Sequence, residues 1–363
     1  MQLRRLWLTD FRSYESAEVD VAPGLTAVVG DNGQGKTNLL EAVAYLATLS
    51  SFRGAPTEAL VRQGATSAVI RADLIRDDRE LLLEAEIVPG GRSRVQINRQ
   101  RVHRHRDLLG ALRVSVFAPD DLALVKAGPA GRRRFLDDVL VALSPKNDEV
   151  RTEVDRVLRQ RNALLKQAAG RLSTEVELTL DVWDDKLAAA GSMLGERRAA
   201  LLDDLAPYLH TAYADLAGAP IPVEARYESA WWGSEGGLAA ALAAAREEEL
   251  RRRLTLVGPH RDEVGFSIDG LPARTHASQG EQRSLALALR LAAHRLVADA
   301  TGTPPVLLLD DVFSELDPAR CDALVTHLLA GGAQTIVTTA GALPPSAHPE
   351  TVLRIADGVL TRG

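Results

Sequence analysis

The residues best suited to chemistry form one glycine-rich loop, made of Gly30, Asp31, Asn32, Gly33, Gln34, Gly35, Lys36 and Thr37. They match the pattern G-x-x-x-x-G-K-[ST] and stand between a short apolar run and a segment with helical spacing. Glycines let the backbone turn tightly, so that consecutive N–H groups converge on a phosphate. Lys36 is predicted to reach the β- and γ-phosphates of a nucleotide, and the Thr37 hydroxyl to ligate Mg²⁺. The loop therefore predicts a nucleotide site that uses Mg²⁺.

A second pattern supplies acidic residues. The apolar segment Val306 to Leu309 leads directly into Asp310 and Asp311. An acid at the end of a buried strand near a phosphate loop completes Mg²⁺ coordination, so Asp310 is the predicted metal residue. Asp311 is predicted to point elsewhere and to orient or deprotonate the attacking water. Because strand–Asp–Asp alone is a weak signal, a helix cap is the alternative interpretation of the pair.

A third pattern is SQGEQR at Ser278 to Arg283, where a polar glycine loop runs into an alanine-rich helix. The free N–H groups and the dipole of a helix start favour an anion there. With SELD at Ser314 to Asp317, the segment resembles the signature loop of ATP-binding-cassette proteins, which caps the γ-phosphate of ATP bound by a second molecule. The resemblance implies an ATP-dependent homodimer. Ser278 would donate its hydroxyl to that ATP, and Gly280 and Glu281 would donate N–H groups.

The elements that position these motifs are of mixed type. Leu25 to Val29 reads as a strand, Asn38 to Leu49 as a helix, and Ala68 to Val116 as an antiparallel meander. After a helical middle region, strand patterns return at Val306 and at Gln334 to Gly341. The predicted fold class is α/β. It consists of a P-loop ATPase head with an antiparallel β meander, built from both ends of the chain.

The middle of the chain predicts helices. Apolar residues recur at helical spacing from Val150 to Leu165 and again from Trp183 to Leu205, with a break at Ala168 to Thr174. This indicates an antiparallel helical hairpin, which either projects as an arm or packs as a bundle. The predicted domains are a discontinuous ATPase head, residues 1–129 and 250–363, and an inserted helical arm domain, residues 130–249.

The formal charge of −6 gives no simple nucleic-acid signal. A local basic stretch lies between Val88 and Arg113 and has two interpretations, a solvated hairpin edge or a phosphate-contacting surface. Its basic residues are Arg92, Arg94, Arg99, Arg101, Arg104, Arg106 and Arg113. The lone Cys321 excludes an internal disulfide framework, and no apolar run is long enough for a signal sequence or a membrane span. We therefore expect a cytoplasmic protein that has no membrane partner.

Four further segments narrow the resemblance to one family. They are LTDFRSY at 8–14, FAPDDLALVKAGPAGRRRFLD at 117–137, GPHRDE at 258–263 and LLLDDVFSELDPAR at 307–320. Together they resemble the RecF family of bacterial recombination and replication-repair proteins, which belongs to the ABC/SMC-like class of ATPases. One departure is Ala127-Gly128-Pro129, where the family usually has Gly-Ser-Pro before the arginine pair.

The resemblance implies a switch that works through ATP and Mg²⁺. ATP would drive head-to-head dimerisation, the dimer would bind DNA at single-stranded and gapped or duplex-junction regions, and slow hydrolysis would release it. RecR and RecO are the implied protein partners. Arg12 would lie near the phosphates or the sugar, and Phe11 and Tyr14 either beside the nucleotide or in the core.

Other readings remain open from the sequence. A transporter energy-coupling subunit would share the nucleotide site, but it needs a switch histidine where Thr338 and Thr339 stand. A small-molecule kinase leaves the loop at Ser278 unexplained. The run His260-Arg261-Asp262 either serves the dimer interface or forms an internal salt bridge. The run Arg132 to Arg134 has a purely structural interpretation, as a solvated helix face or as salt bridges to Asp137 and Asp138.

Overall fold

The computed structural model describes residues 1–91, 93–102, 105–356 and 358–362. The strands of this part of the chain are β1 Gln2–Phe11, β2 Tyr14–Asp20, β3 Leu25–Val29, β4 Ala68–Arg76, β5 Arg79–Ile87, β6 Arg94–Ile97, β7 Gln100–Arg101, β8 Val114–Phe117, β9 Val223–Glu228, β10 Glu263–Ile268, β11 Leu271–Pro272, β12 Val306–Asp310, β13 Thr335–Thr339, β14 Thr351–Ala356 and β15 Val359–Arg362.

The α-helices are α1 Lys36–Thr48, α2 Thr57–Leu60, α3 His105–Leu108, α4 Leu122–Lys126, α5 Pro129–Leu143, α6 Asn147–Ala168, α7 Thr174–Ala217, α8 Gly237–Arg252, α9 Ala273–His276, α10 Gln279–Thr301 and α11 Pro318–Ala330. Short 3-10 helices cover Pro119–Asp121 and Val312–Glu315. None of these described helices is long and apolar enough to cross a membrane.

The chain forms two compact units. The sheet unit comprises Met1–Asp121, Ala214–Ala219 and Leu287–Gly363, and the helical unit comprises Leu122–Tyr213 and Pro220–Ala286. Residues 250–286, which the sequence places in the predicted head, lie in the helical unit because β10 pairs with β9 along its whole length. The division into an ATPase head and an arm domain remains a prediction.

The sheet unit contains a mostly parallel sheet in the order β15-β14-β3-β13-β12-β8. Strand β3 from the N-terminal region lies between β13 and β14 from the C-terminal region, and β8 pairs with β12. The buried Gln334 side chain also accepts a hydrogen bond from Leu3 N at 2.6 Å and donates one to Leu3 O at 2.7 Å. Both ends of the chain therefore build this sheet, as predicted.

The second sheet of this unit is antiparallel, in the order β2-β1-β4-β5-β6-β7. Helix α1 contacts β1 and β5 of this sheet and β8, β12 and β13 of the parallel one. Leu39, Leu40, Val43 and Leu46 of α1 are buried in the shared core. The predicted meander is confirmed for β4 to β7, whereas β8 joins the parallel sheet because its backbone pairs with β12. The predicted α/β class is confirmed.

The helical unit is built around α6 and α7, which run antiparallel. Asn147 near the start of α6 hydrogen-bonds Arg197 of α7, and Arg161 further along α6 bonds Asp184, which comes earlier in α7. Helices α5 and α8 pack against α6, which makes the helices a bundle rather than an isolated hairpin. A small sheet in the order β11-β10-β9 completes the unit, and its β10–β11 hairpin turns at Asp269 and Gly270, both at positive φ.

Candidate nucleotide-binding site

The phosphate loop joins the end of β3 to the start of α1. Gly33 and Gly35 have φ values of 83° and 109°, a region that only glycine enters readily. A Cβ at Gly35 would come within 2.6 Å of Ser13 Oγ, and one at Gly30 within 2.4 Å of Ile355 O. Glycine is therefore required at both ends of the loop, where it permits the tight turn by which backbone N–H groups can converge on a phosphate.

Lys36 is the first residue of α1 and is only 6% exposed. Its Nζ donates to Gly30 O at 2.6 Å and to Asp31 O at 2.8 Å. The charge is thus held against the loop, while Asp31, Asn32 and Gly33 stand exposed at its tip. A lysine held in this position can exchange loop carbonyls for phosphate oxygens.

The acid at the end of β12 meets the loop directly. Thr37 Oγ1 lies 2.9 Å from both carboxylate oxygens of Asp310, and Thr338 Oγ1 donates to Asp310 Oδ1 at 2.8 Å. Burial raises the pKa of Asp310, and the hydrogen bonds from Thr338 and Thr37 and the positive charge of Arg53 act against that rise. The carboxylate is therefore buried without a full counter-charge.

This donor set fits Mg²⁺. The described residues contain no group of three or more His, Cys, Asp or Glu side chains that could hold a metal without further ligands. Mg²⁺ is usually held by one or two protein oxygens together with waters and substrate phosphates, which matches one carboxylate and one hydroxyl beside a phosphate loop. The two predicted metal residues, Thr37 and Asp310, are adjacent in space.

Asp311 occupies an unusual backbone position. Its φ of 48° lies in the left-handed region, and its N–H donates both to Thr338 O at 3.1 Å and to Thr338 Oγ1 at 3.0 Å. Its Oδ1 is buried and has no hydrogen-bond partner in the described part of the chain. Asp311 is the N-cap residue of the 3-10 helix that follows, but its carboxylate makes no capping hydrogen bond to that helix.

Arg12 lies in the same unit but is already paired. Its Nε and Nη2 donate to Glu41 at 2.7 and 2.8 Å, and Ser51 also donates to that buried carboxylate. Phe11 is fully buried in the core. Tyr14 is equally buried, and its hydroxyl donates to Gly35 O at 2.9 Å. Core packing, one of the two predicted roles, describes both Phe11 and Tyr14. Tyr14 also hydrogen-bonds the phosphate loop.

The signature-like segment lies in the helical unit. Glu281 N donates to Ser278 Oγ at 3.3 Å, and Ser278 N donates to Glu281 Oε2 at 2.7 Å. This is a capping box at the start of α10. Because Ser278 Oγ only accepts in that pair, its own proton can still be donated. Ser278 and Gln279 are exposed, and Gly280 is half-buried in the first turn.

The GPHRDE segment forms an internal network in the helical unit. Asp262 is buried and accepts hydrogen bonds from Tyr227 and, at 2.9 Å, from Trp231 Nε1. His260 Nε2 and Arg261 Nη2 lie 3.2 and 3.3 Å from Thr255 O. The segment is therefore held internally by hydrogen bonds, but the predicted internal salt bridge is not among the ion pairs of the described residues, since Asp262 is bound by aromatic donors and not by Arg261.

The expectation for the arginine run at 132–134 was wrong for Arg132, whereas Arg134 is exposed as a solvated helix face predicts. Arg132 is buried and forms a bidentate pair with Glu263 at 2.8 Å for both bonds, instead of facing solvent or Asp137. Asp137 instead pairs with Arg198 at 2.8 Å. The local spacing suggested partners on the same helix, but tertiary packing supplied closer ones.

The basic stretch stands on the edge of the antiparallel sheet. Arg99 and Arg101 are exposed on the β6–β7 hairpin, and Arg94 is paired with Glu86 at 3.7 Å. Arg92 and Arg104 lie outside the described residues, as does the side chain of Arg106. Whether the stretch is a solvated edge or a phosphate-contacting surface stays a prediction.

With this geometry in place, comparison with known proteins gives the family. A family model described as RecF/RecN/SMC N terminal domain matches residues 2–346. The DNA replication and repair protein RecF of Frankia alni is 49% identical over 357 residues, covering 94% of this chain and 93% of that protein. The chain belongs to the RecF family. The RecF of Streptomyces avermitilis is also 49% identical, over 355 residues that cover 94% of each protein.

The RecF fold is matched by solved structures as well. A "recombination mediator protein RecF-ATP in RecFOR pathway" superposes with a TM-score of 0.91 at 27% identity, covering 99% of this chain and 97% of the other. An Smc head domain from Pyrococcus furiosus has a TM-score of 0.57 at 18% identity, which indicates a shared fold. The predicted ABC/SMC-type head is confirmed, and the transporter alternative is not favoured.

Sequence reasoning missed two contributors to this site, namely Thr338 and Arg53, and it left the role of Tyr14 open. The sequence marks Thr338 only as a residue that stands where transporters have a switch histidine, yet it contacts Asp310 and Asp311. Arg53 is exposed and its charge reaches Asp310. No local pattern points to Thr338 or Arg53, since strand pairing brings the first to the loop and the turn after α1 brings the second.

Proposed function

We propose that this protein is an ATP-dependent DNA-binding protein of DNA replication and recombinational repair, with weak ATPase activity that serves as a switch. The observation that carries the proposal is the meeting of Thr37 with Asp310 beside a complete phosphate loop. Relatives named DNA replication and repair protein RecF, at 49% identity over most of the chain, support the DNA-repair role.

ATP binding is assigned to the loop residues from Gly30 to Thr37. Their backbone N–H groups would face the phosphates, and Lys36 would exchange its bonds to Gly30 O and Asp31 O for bonds to β- and γ-phosphate oxygens. Thr37 and Asp310 would hold Mg²⁺, which when bound supplies positive charge to the phosphate oxygens. A solved structure of a relative, described as RecF-ATP, supports ATP as the nucleotide.

Hydrolysis is assigned to Asp311. Asp311 directly follows Asp310, the proposed Mg²⁺ ligand. Its Oδ1 has no hydrogen-bond partner among the described residues, so the carboxylate can orient a water molecule or accept a proton from it. Arg12 is proposed to lie near the phosphates or the sugar, with its pairing to Glu41 holding the guanidinium in place. We expect hydrolysis to be slow and to release the bound DNA.

Dimerisation is assigned to the loop at Ser278. In a head-to-head dimer the Ser278 hydroxyl and the Gly280 N–H would cap the γ-phosphate of ATP bound by the partner copy. The Glu281 N–H would join them by exchanging its 3.3 Å bond to Ser278 Oγ for a phosphate oxygen. The capping box supports this role, because it holds the serine at the helix start while leaving its proton free. ATP contacts made only in the dimer would couple nucleotide binding to association.

DNA binding is proposed for the dimer, at single-stranded and gapped or duplex-junction regions. The exposed arginines of the basic stretch, such as Arg99 and Arg101, are the candidate phosphate contacts. A relative assigned to the RecFOR pathway supports RecR and RecO as partners. A cytoplasmic location is the proposed setting.

The proposal is tested by gel shifts on gapped, duplex and single-stranded DNA, with and without ATP, at one salt concentration. Lys36→Met is expected to lose ATP binding and ATP-dependent DNA binding together. Lys166→Met, which removes an exposed lysine at the end of α6, is the matched control and should behave as the parent. DNA binding by Lys36→Met equal to the parent's in ATP would refute the coupling.

A further inference from the structure

Thr338 contacts both acidic residues of the site, Asp310 and Asp311. It lies near the end of β13, next to β12 in the parallel sheet, and its side chain is fully buried. Its hydroxyl donates to Asp310 Oδ1 at 2.8 Å and accepts the N–H of Asp311 at 3.0 Å. The Thr338 hydroxyl oxygen therefore contacts both Asp310, the predicted Mg²⁺ ligand, and the backbone of Asp311.

The hydroxyl has little freedom in this position. A threonine hydroxyl carries one proton and two acceptor lone pairs. Because the Asp311 N–H occupies a lone pair, and because the nearest good acceptor is the Asp310 carboxylate, the proton is directed to Asp310. The other acceptor, Leu309 O, lies 3.5 Å away and competes weakly.

The same contact bears on the backbone of Asp311. A left-handed φ is unfavourable for a residue with a side chain and persists only where its surroundings impose it. Here the Asp311 N–H is held twice, by the carbonyl and by the hydroxyl of Thr338. The side chain carried by this backbone has one buried oxygen, Oδ1, without a hydrogen-bond partner in the described residues.

We propose that Thr338 is a positioning residue for ATP hydrolysis, whose single hydroxyl sets the orientation of the Asp310 carboxylate and the backbone of Asp311 together. The inference rests on the proposed ATPase function. A serine can make both bonds, whereas a valine of nearly the same shape can make neither. The role thus depends on the hydroxyl and not on the volume of the side chain.

The chain offers a matched control one residue away. Thr339 is also buried, but successive strand residues point to opposite faces. Its hydroxyl accepts from Gly341 N at 3.1 Å and contacts Gly341 O at 3.3 Å, so it serves the loop after β13. Thr339→Val removes a buried hydroxyl of the same strand without touching either acid.

The experiment compares the parent with Thr338→Val, Thr338→Ser and Thr339→Val. ATP hydrolysis is measured against ATP and against Mg²⁺, and binding of a fluorescent ATP analogue is measured in EDTA and in Mg²⁺. Thr338→Val should lower kcat about 10- to 100-fold, raise the Mg²⁺ concentration needed for half-maximal activity and for tight analogue binding, and change KM for ATP by less than about threefold. Analogue binding in EDTA should not change.

The rescue decides between positioning and packing. Thr338→Ser should keep kcat within about threefold of the parent, and Thr339→Val should match the parent in all readouts. Parental kcat and Mg²⁺ dependence in Thr338→Val would overturn the inference, and so would an equal loss in Thr339→Val. If Thr338→Val does not fold, Thr338→Ala gives the same comparison.

Failure of the proposed function gives a different result. If the parent itself does not hydrolyse ATP, the ATPase assignment fails. The Mg²⁺ dependence of analogue binding still tests whether Thr338 orients the Asp310 carboxylate. An identical dependence in the parent and in Thr338→Val would show that Thr338 does not act on Asp310.

Discussion

Thr37 Oγ1 lies 2.9 Å from both carboxylate oxygens of Asp310, although 273 positions separate the two residues in the chain. They meet because β3, which leads into the phosphate loop, and β12, which ends in Asp310, both pair with β13 in parallel. The carboxyl ends of parallel strands share one edge of the sheet, and nucleotide sites of α/β proteins are built at that edge.

Removing the Thr37 hydroxyl should therefore impair the use of Mg²⁺. Thr37→Val is expected to lower Mg²⁺-dependent ATP hydrolysis by about 10- to 100-fold, because it deletes one oxygen ligand and one hydrogen bond to a buried carboxylate. Thr37→Ser should retain most activity. The measurement is initial rate against Mg²⁺ concentration, and full activity in Thr37→Val would show that Thr37 does not serve the metal.

Ser278→Arg should separate ATP binding from dimerisation. If Ser278 caps the nucleotide of a second copy, a bulky cation there blocks association while each monomer still binds ATP. Light scattering with and without ATP, together with binding of a fluorescent ATP analogue, measures both properties.

Ser173→Arg is the control for that substitution. Ser173 is another exposed serine whose hydroxyl caps a helix of the same unit, through Val176 N at 3.3 Å. It should dimerise as the parent does. Loss of ATP binding by the Ser278→Arg monomer would instead place Ser278 in its own nucleotide site.

The ion pairs of Arg161 predict a large stability effect in the helical unit. Arg161 is fully buried between Asp184 and Glu249, at 2.6 Å from each. Arg161→Met leaves Glu249 buried without its cation and should lower the free energy of unfolding by about 3–5 kcal/mol. Arg156→Met, which breaks an exposed pair with Glu153, should change stability little, because solvent screens the pair. Denaturant unfolding compares the two, and similar midpoints would contradict this account.

The buried His294 predicts a loss of stability in mild acid. Burial lowers its pKa from 6.5 to about 4, with the positive charges of His327 and Arg295 adding to the effect. Between these values the unfolded chain binds a proton that the folded chain excludes, so the stabilisation present above pH 6.5 is lost as pH falls toward 4. One pKa unit corresponds to about 1.4 kcal/mol, which gives a loss on the order of 2–3 kcal/mol from this residue.

His294→Gln should flatten that pH dependence. The measurement is the free energy of unfolding from pH 7 down to about 4.5, a range chosen because histidine titrates there. The exposed His348→Gln is the control and should follow the parent curve. Because His260 has a similarly lowered pKa, from burial, part of the slope should remain in His294→Gln. An unchanged slope would show that His294 does not contribute.

Much of this protein could be predicted from local sequence. The loop from Gly30 to Thr37 and the strand ending at Asp310 each carry their chemistry in consecutive residues, because glycine conformations and strand ends are local properties. Four further motifs indicated the family, and the comparisons confirmed it. The α/β class followed from the alternation of strand and helix patterns.

Tertiary structure decided which side chains meet. Arg132 pairs with Glu263 and Arg161 with Glu249, and neither partner lies within reach of a sequence pattern. The same holds for Thr338, whose contact with Asp310 depends on the pairing of β12 with β13. Sequence spacing gives the face of a helix or strand on which a residue lies. The partner of a buried charge is instead set by long-range packing, because a desolvated charge needs the nearest opposite charge or donor, whatever its position in the chain.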